Sequence, residues 1–428
     1  MLETHVPTLS MAERNRRWDL ARSFMAREGV EALLVFGEHE DAGPAAVAYD
    51  TWFTNDRPGA TVIFPRGGEP IALLPGPMFI MDHVESTRRG EAMWISPQNL
   101  RGARTSRTII ETINALGLAE AAIGVVGLGP HMPWSPEGII PYGIWSSVLS
   151  SFPSAGFRPV DLSFGQLVMR LSPEEIALVR HAATIGDNMV RAMVETAAPG
   201  VAENHVYAAG MAAGYGHGSL PPAMHMWSGH DMVAAGIPSW AYRAQAPRVL
   251  CDGDVIYAEV FATHGGRQAQ NQVTITVGDV HPDVYRAAQV ARASYEAGLE
   301  VLRPGRTFGE LVDAMHQPID AANGWPFLIA VHSLNPGLSV GKGRGLFSHG
   351  PATEGYPLVS DHPTFMADME LVPGMSFAFE PNYAFGRHLV HLGGTVIVGE
   401  DQPIELNPYT AQLLPAAGDR VAISRSGS

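Results

Sequence analysis

LCDGDVIYAEVFATHGGRQAQNQVTITVG, residues 250–278, reads as a strand, a Gly-Gly turn and a second strand. Val255, Tyr257, Glu259 and Phe261 alternate with Ile256, Ala258, Val260 and Ala262, so a period of two sets Glu259 on a face otherwise made of large apolar groups. A carboxylate there is costly to strip of water unless it is paired, hydrogen-bonded or put to use. A second stretch, PGMSFAFEPNYAFGRHLVHLGGTVIVGE at 373–400, repeats the first. Gly253 lies over Gly374, Glu259 over Glu380 and Val277 over Val398, each pair 121 positions apart. The helical stretches upstream repeat too: HAATIGDNMVRAMVETAAPG at 181–200 lies over RAAQVARASYEAGLEVLRPG at 286–305, an offset of 105. A repeat of this length implies two copies of one αβ unit rather than a short-period solenoid. Facing each other across a pseudo-twofold axis, the copies would bring Glu259 and Glu380 into one cleft. Paired carboxylates in a cleft suit either metal binding or general acid–base work.

The totals narrow the class. A chain of 428 residues has room for two or three domains and an ample core. Its 46% apolar and 17% charged content is that of a globular protein. A formal charge of −15 argues against nucleic acid or an anionic membrane as partner. Cys251 is the sole cysteine, which excludes intrachain disulfides and thiolate zinc clusters. The first residues, MLETHVPTLSMAERNRRW, carry an early acid and no apolar core of the signal-peptide kind. No apolar run reaches the roughly 20 residues that span a bilayer. The expectation is a soluble, cytoplasmic protein that acts on a small molecule.

Along the chain, residues 12–28 carry helical spacing and stop at Gly29. Strands are expected at 31–37, 60–65, 70–75 and 121–129, with helices near 105–116 and 138–151, an alternation that marks an α/β (α+β) fold. Ser172-Pro173-Glu174-Glu175 is a capping pattern with Ser at the N-cap, Pro at the first helical position and Glu at the third. It opens a long helix and places the domain boundary just before it: residues 1–168, then 169–428 with both copies of the repeat. The tail beyond about residue 415 is expected to be weakly structured. GLSVGKGRG at 337–345 is one residue short of a phosphate loop and has Gly343 where the hydroxyl belongs, so it reads as a loop.

On SPEEIALVRHAA, the APG and RPG helix ends, CDGDVIYAE, SHG at 348–350, VPGMSFAFEP and, in the N-terminal half, GVEALLVFG and YDTWFTNDRPGATVIFP, the chain resembles the creatinase/prolidase family. This resemblance implies a creatinase-like N-terminal domain, a C-terminal "pita-bread" domain and a homodimer. Metallopeptidases of the family use two Asp, one His and two Glu as ligands. Those positions fall on Glu259, Gln270, His349, Glu380 and Gly393, so two lack an anionic ligand. The chain is also similar to metal-free members such as creatinase and ectoine hydrolase, which implies no metal and no cofactor. Creatinase's catalytic glutamate is present as Glu380, its other acid falls on Gln272, and its histidine base falls on Tyr242 or near Gly236. One arginine that grips the substrate carboxylate falls on Arg57; the second falls near Ser360 and Asp361 and is missing, which argues against creatine.

The expected site therefore has Glu259, Glu380 and His349 as catalytic groups. Arg57, Trp52, Phe53, Trp227, His230, Tyr242, Gln270, Gln272 and His391 are its expected substrate contacts. The expected activity is metal-independent hydrolysis of a C–N bond in a small carboxylate-bearing compound that is not a peptide. Three rivals stay open: an Xaa-Pro metallopeptidase with a degenerate metal site, a lyase like the dimethylsulfoniopropionate lyases of this fold, and a binding protein without turnover.

Overall fold

A computed structural model describes residues 6–37, 49–129, 137–343, 355 and 360–419. These fall into two units, residues 1–174 with 335–338 and residues 175–334 with 339–428. The division lies inside the helix opened by Pro173, a few residues beyond the boundary expected from its capping pattern.

In the first unit, helices α1 (Met11–Glu28), α2 (Tyr49–Thr54), α3 (Met78–Arg88), α4 (Ser106–Ala115), α5 (Tyr142–Ser151) and α6 (Asp161–Val168) accompany strands β1 (Ala32–Phe36), β2 (Thr61–Pro65), β3 (Ile71–Leu73), β4 (Leu100–Arg101), β5 (Ala122–Val126) and β6 (Gly156–Pro159). The strands form one mixed sheet in the order β4-β3-β2-β1-β5-β6. β1 shows why it is apolar throughout: Leu33 and Val35 face one core, while Ala32, Leu34 and Phe36 face the other. Helix α1 begins where the Ser10 hydroxyl accepts the Glu13 N–H and ends at Gly29 in a left-handed conformation.

Trp52 and Phe53 correct an expectation. Instead of facing a ligand they pack edge to face in the first core, 2% and 0% exposed, against Phe164 and Phe64. Helix α2 is a single short turn-and-a-half whose residues are all buried, so its aromatics serve packing.

Beside them, Asp50 is fully buried and accepts the Gly59 and Ala60 N–H groups at Oδ2, 2.8 Å each. Burial outweighs these bonds and pushes its carboxyl up to about 7. A carboxyl raised on folding stabilises fully below its unfolded range near 3.8, and the contribution is lost as pH rises through about 7. We expect wild-type stability to fall relative to Asp50→Asn across that window, at up to about 1.4 kcal/mol per pH unit. Denaturant unfolding followed by the fluorescence of Trp18, Trp52 and Trp94 measures it. Parallel pH profiles for the two proteins would show that Asp50 does not titrate there.

The second unit contains helices α7 (Pro173–Thr196), α8 (Glu203–Gly216), α9 (Pro282–Val301) and α10 (Phe308–Ala321). Its strands are β7 (His225–Gly229), β8 (Asp254–His264), β9 (Arg267–Val277), β10 (Val331–Leu334), β11 (Ser376–Phe379), β12 (Asn382–Phe385), β13 (His388–His391), β14 (Gly393–Ile397), β15 (Ile404–Glu405) and β16 (Leu414–Pro415). The main sheet runs β10-β11-β14-β9-β8-β7. Its centre is the antiparallel pair β9 and β14, and β8-β7 on one side answers β11-β10 on the other. This is the two-copy arrangement that the repeat of 121 positions implies. The tail departs from expectation: β16 pairs with β9, and Ala416, Ala417 and Gly418 donate N–H groups to Thr276, Val194 and Ala197. Open backbone groups of β9 capture a segment that has little pattern of its own. Among the described residues no helix is long and apolar enough to cross a membrane.

Candidate active site

One lateral row of residues crosses the sheet. His225 on β7 stands opposite Glu259 on β8, Glu259 opposite Gln272 on β9, and Gln272 opposite Gly393 on β14. Glu380 directly follows β11, where its N–H donates to the Ala330 carbonyl at 2.8 Å. Antiparallel strands place directly opposed residues on the same face, so the row shares one side of the sheet. Glu259 and Glu380 are 7% and 3% exposed, and their carboxyl groups are close enough to hydrogen-bond each other.

Each glutamate has a histidine from its own outer strand. His225 Nδ1–H donates to Glu259 Oε2 at 2.7 Å, and His332 Nε2 on β10 lies 3.1 Å from Glu380 Oε1. His332 Nδ1–H donates to the Ser333 carbonyl at 2.8 Å, which leaves Nε2 as the unprotonated nitrogen facing Glu380. The two carboxyls differ in charge. Burial would raise both, but the hydrogen bond and charge of His225, with His391 and His332 beyond, hold Glu259 below the usual carboxylate range. Glu380 is pushed well above it by burial and by the Glu259 charge beside it. Of the pair, Glu259 gives up its proton more readily and Glu380 holds its proton more tightly. Burial lowers His332, and pushes His391 down to about 4, so both imidazoles are neutral at pH 7.

The other expected contacts divide. His391 is fully buried, stacks on Tyr257 at 4.9 Å and places Nε2 3.8 Å from Glu380 Oε2. Along β9, Gln272 donates to Gln270 Oε1 at 3.3 Å and Gln270 donates to Gln268 Oε1 at 3.1 Å. This ladder leaves Gln272 Oε1 buried and without a hydrogen bond, beside Glu259. Trp227 shares the β7 face with His225, its indole N–H likewise buried and unbonded.

Others have surroundings of their own. Tyr242 is 77% exposed at the end of a short 3-10 turn, held by no strand. His230 donates from Nδ1 to the Gly253 carbonyl at 3.1 Å, over a glycine with φ +87° where a Cβ would strike its ring. That turn, not the glutamate pair, fixes it. Arg57 is half exposed in the first unit and paired with Asp82. His349 lies outside the described residues.

Sequence reading missed His225 and His332. A signal existed: AMHMWSG and AVHSLNPG place them 107 positions apart, close to the offset of the helical repeat. Tyr257 was read only as core; its hydroxyl is buried near the pair without a hydrogen bond.

Among the described residues, the donor set does not fit a two-metal centre. Gln270 offers a neutral amide whose oxygen already accepts from Gln272. Gly393 offers nothing and has no room to: its φ is +125°, and a Cβ there would stand 2.1 Å from the Phe379 carbonyl oxygen. Two divalent ions held by two carboxylates would be left largely uncompensated in a buried site.

A profile of metallopeptidase family M24 matches residues 177–400. Probable dipeptidase PepE of Mycobacterium tuberculosis is 26% identical over 344 residues, covering 74% of this chain and 84% of that protein. Among solved structures, X-Pro aminopeptidase from Thermotoga maritima matches with a TM-score of 0.70 at 15% identity, over 93% of this chain and 99% of the other. Dipeptidase PepE from Mycobacterium ulcerans matches at 0.68 and 18% identity, over 96% and 100%. The prolidase from Pyrococcus horikoshii matches at 0.66 and 17%, over 92% and 98%. At such identities these likenesses speak for the fold, the pita-bread architecture with its preceding α/β unit.

Proposed function

This chain belongs to metallopeptidase family M24, and on that premise we propose that it hydrolyses a C–N bond of a small carboxylate-bearing compound through Glu259, Glu380 and His332, without a two-metal centre. The observation that carries this reading is the buried glutamate pair, each member with its own histidine, one held below the usual carboxylate range and the other pushed well above it. Two identical side chains thereby supply a base and an acid.

In this mechanism Glu259 takes a proton from water as the oxygen attacks the carbon of the scissile bond. Glu380 gives its proton to the departing nitrogen, so the C–N bond breaks as the C–O bond forms. Glu259 is then protonated and Glu380 ionised, and the hydrogen bond between them returns the proton and resets the pair. His225 holds Glu259 in place. His332 Nε2, an acceptor beside Glu380, orients the acid's proton and offers it a second resting place. The buried Gln272 oxygen is an acceptor for an N–H of the substrate.

The relatives' names, dipeptidase and X-Pro aminopeptidase, favour a second reading, a peptidase that keeps one ion between Glu259, His332 and Glu380. A shared proton and a cation answer the same excess of negative charge, so the two readings part on one measurement. Xaa-Pro dipeptides and small non-peptide amides and amidines bearing a carboxylate are offered to the full chain before and after dialysis against a chelator. We expect turnover of a non-peptide substrate, oxygen from water in the product, and no loss on chelation. Loss on chelation that manganese, cobalt or zinc restores would establish the peptidase reading.

A further inference from the structure

We propose that His281, Asp283 and His388 form a site for one divalent transition-metal ion, of the zinc, nickel or copper class, that clamps the β12–β13 hairpin to the start of α9. His281 is the N-cap residue of α9, Asp283 lies in its first turn and His388 opens β13. One ligand atom from each lies within 4.8 Å of the others. The two imidazoles stack in parallel at 4.0 Å and 6°. His281 Nδ1 carries its lone pair toward the Asp283 N–H, which it accepts at 3.2 Å, and stands 3.7 Å from Asp283 Oδ2; an ion there would take that lone pair in exchange for the cap bond. Arg286 occupies the other oxygen of Asp283, Oδ1, and leaves Oδ2 to a ligand. His388 Nδ1 is shut off from solvent without a hydrogen bond. A third ring, His230, lies 6.4 Å from His388. Its Nδ1–H is fixed on the Gly253 carbonyl, the arrangement that frees the other nitrogen of an imidazole for a metal.

The chemistry selects the class of ion. Two imidazoles with one carboxylate suit zinc, nickel or copper, whereas magnesium and calcium take oxygen ligands throughout. The positive end of the α9 dipole opposes a cation, and the Asp283 carboxylate offsets it. Binding requires the stacked rings to turn toward the ion; His281 is exposed, and Asp283 and His388 are partly exposed. His388 and His391 sit three residues apart on β13 and so on opposite faces, one in this cluster and one beside Glu380.

The test uses the full chain without an affinity tag, stripped by a chelator and titrated with zinc in a calorimeter. Cobalt absorption in the visible reports nitrogen ligation. We expect one zinc per chain, with a rise in thermal midpoint, both kept in a Glu259→Gln/Glu380→Gln double variant. Affinity should weaken by at least about 10-fold in His281→Ala and in His388→Ala, the scale seen for groups that merely orient a ligand. Circular dichroism of the zinc-free variants shows whether they fold; if His388→Ala does not, Asp283→Asn and His281→Gln carry the same expectation. Absence of zinc binding, affinity unchanged in these variants, or binding lost in the glutamate double variant would each overturn the proposal.

Discussion

Replacing Glu259 or Glu380 by glutamine is expected to lower kcat by roughly 100-fold or more, the usual scale for a general acid or base. Glu259→Gln removes the base, because an amide cannot take a proton from water. Glu380→Gln removes the acid and leaves His332 Nε2 facing an amide. The fold should survive both changes, since glutamine has nearly the same shape and the substitution relieves the crowding of two buried carboxyl groups that keeps Glu380 protonated. Thermal midpoints at or above the wild-type value are therefore part of the prediction. The wild-type profile of kcat against pH should be bell-shaped, and each variant should lose one limb, since the two limbs belong to the pair. Normal turnover in both variants, or loss of fold in place of rate, would make the pair structural and end the proposed mechanism.

Gly393→Glu, which places a carboxylate where the family resemblance implies a ligand, is expected to cost about 3 kcal/mol or more of stability instead of creating a metal site. Two effects add. A φ of +125° is a backbone conformation that side-chain-bearing residues rarely adopt. Any Cβ would also meet the Phe379 carbonyl oxygen at 2.1 Å and its carbon at 3.0 Å, backbone atoms held by the β11–β14 ladder. Neither can move without breaking the pairing that positions Glu380. Against a total stability of roughly 5–15 kcal/mol the loss is large. Gly393→Ala separates backbone from charge, and denaturant midpoints of both variants measure the effect. An alanine variant within about 1 kcal/mol of wild type would show that the strand relaxes. The route from this protein to a two-metal enzyme thus passes through the backbone of β14, not a single side chain.

Much of the architecture was legible along the chain. Alternation in residues 254–277 and its echo at 376–397 depend on local periodicity. The offset of 121 shared by the strand positions is a property of the sequence alone, so the two-copy design and the partnership of Glu259 with Glu380 are legible in it. The same holds for helix α1, read over residues 12–28 with its stop at Gly29, while its Ser10 cap came from the structure. Tyr242, Trp52 and Phe53 were misplaced because an aromatic beside a motif looks alike whether it faces a ligand, a core or water.

What the sequence by itself determined is the repeat, the two acids it pairs and the family they belong to, because each rests on spacing along a covalent chain. Only the tertiary structure decided which histidines serve those acids, which acid holds its proton more tightly, and why residue 393 must be glycine. His225 reaches Glu259 across one strand pairing, and His332 reaches Glu380 across another. The charge difference comes from burial and from those neighbours, and the glycine from a carbonyl on the adjacent strand. Register between strands far apart in sequence sets all three, and no local pattern encodes it.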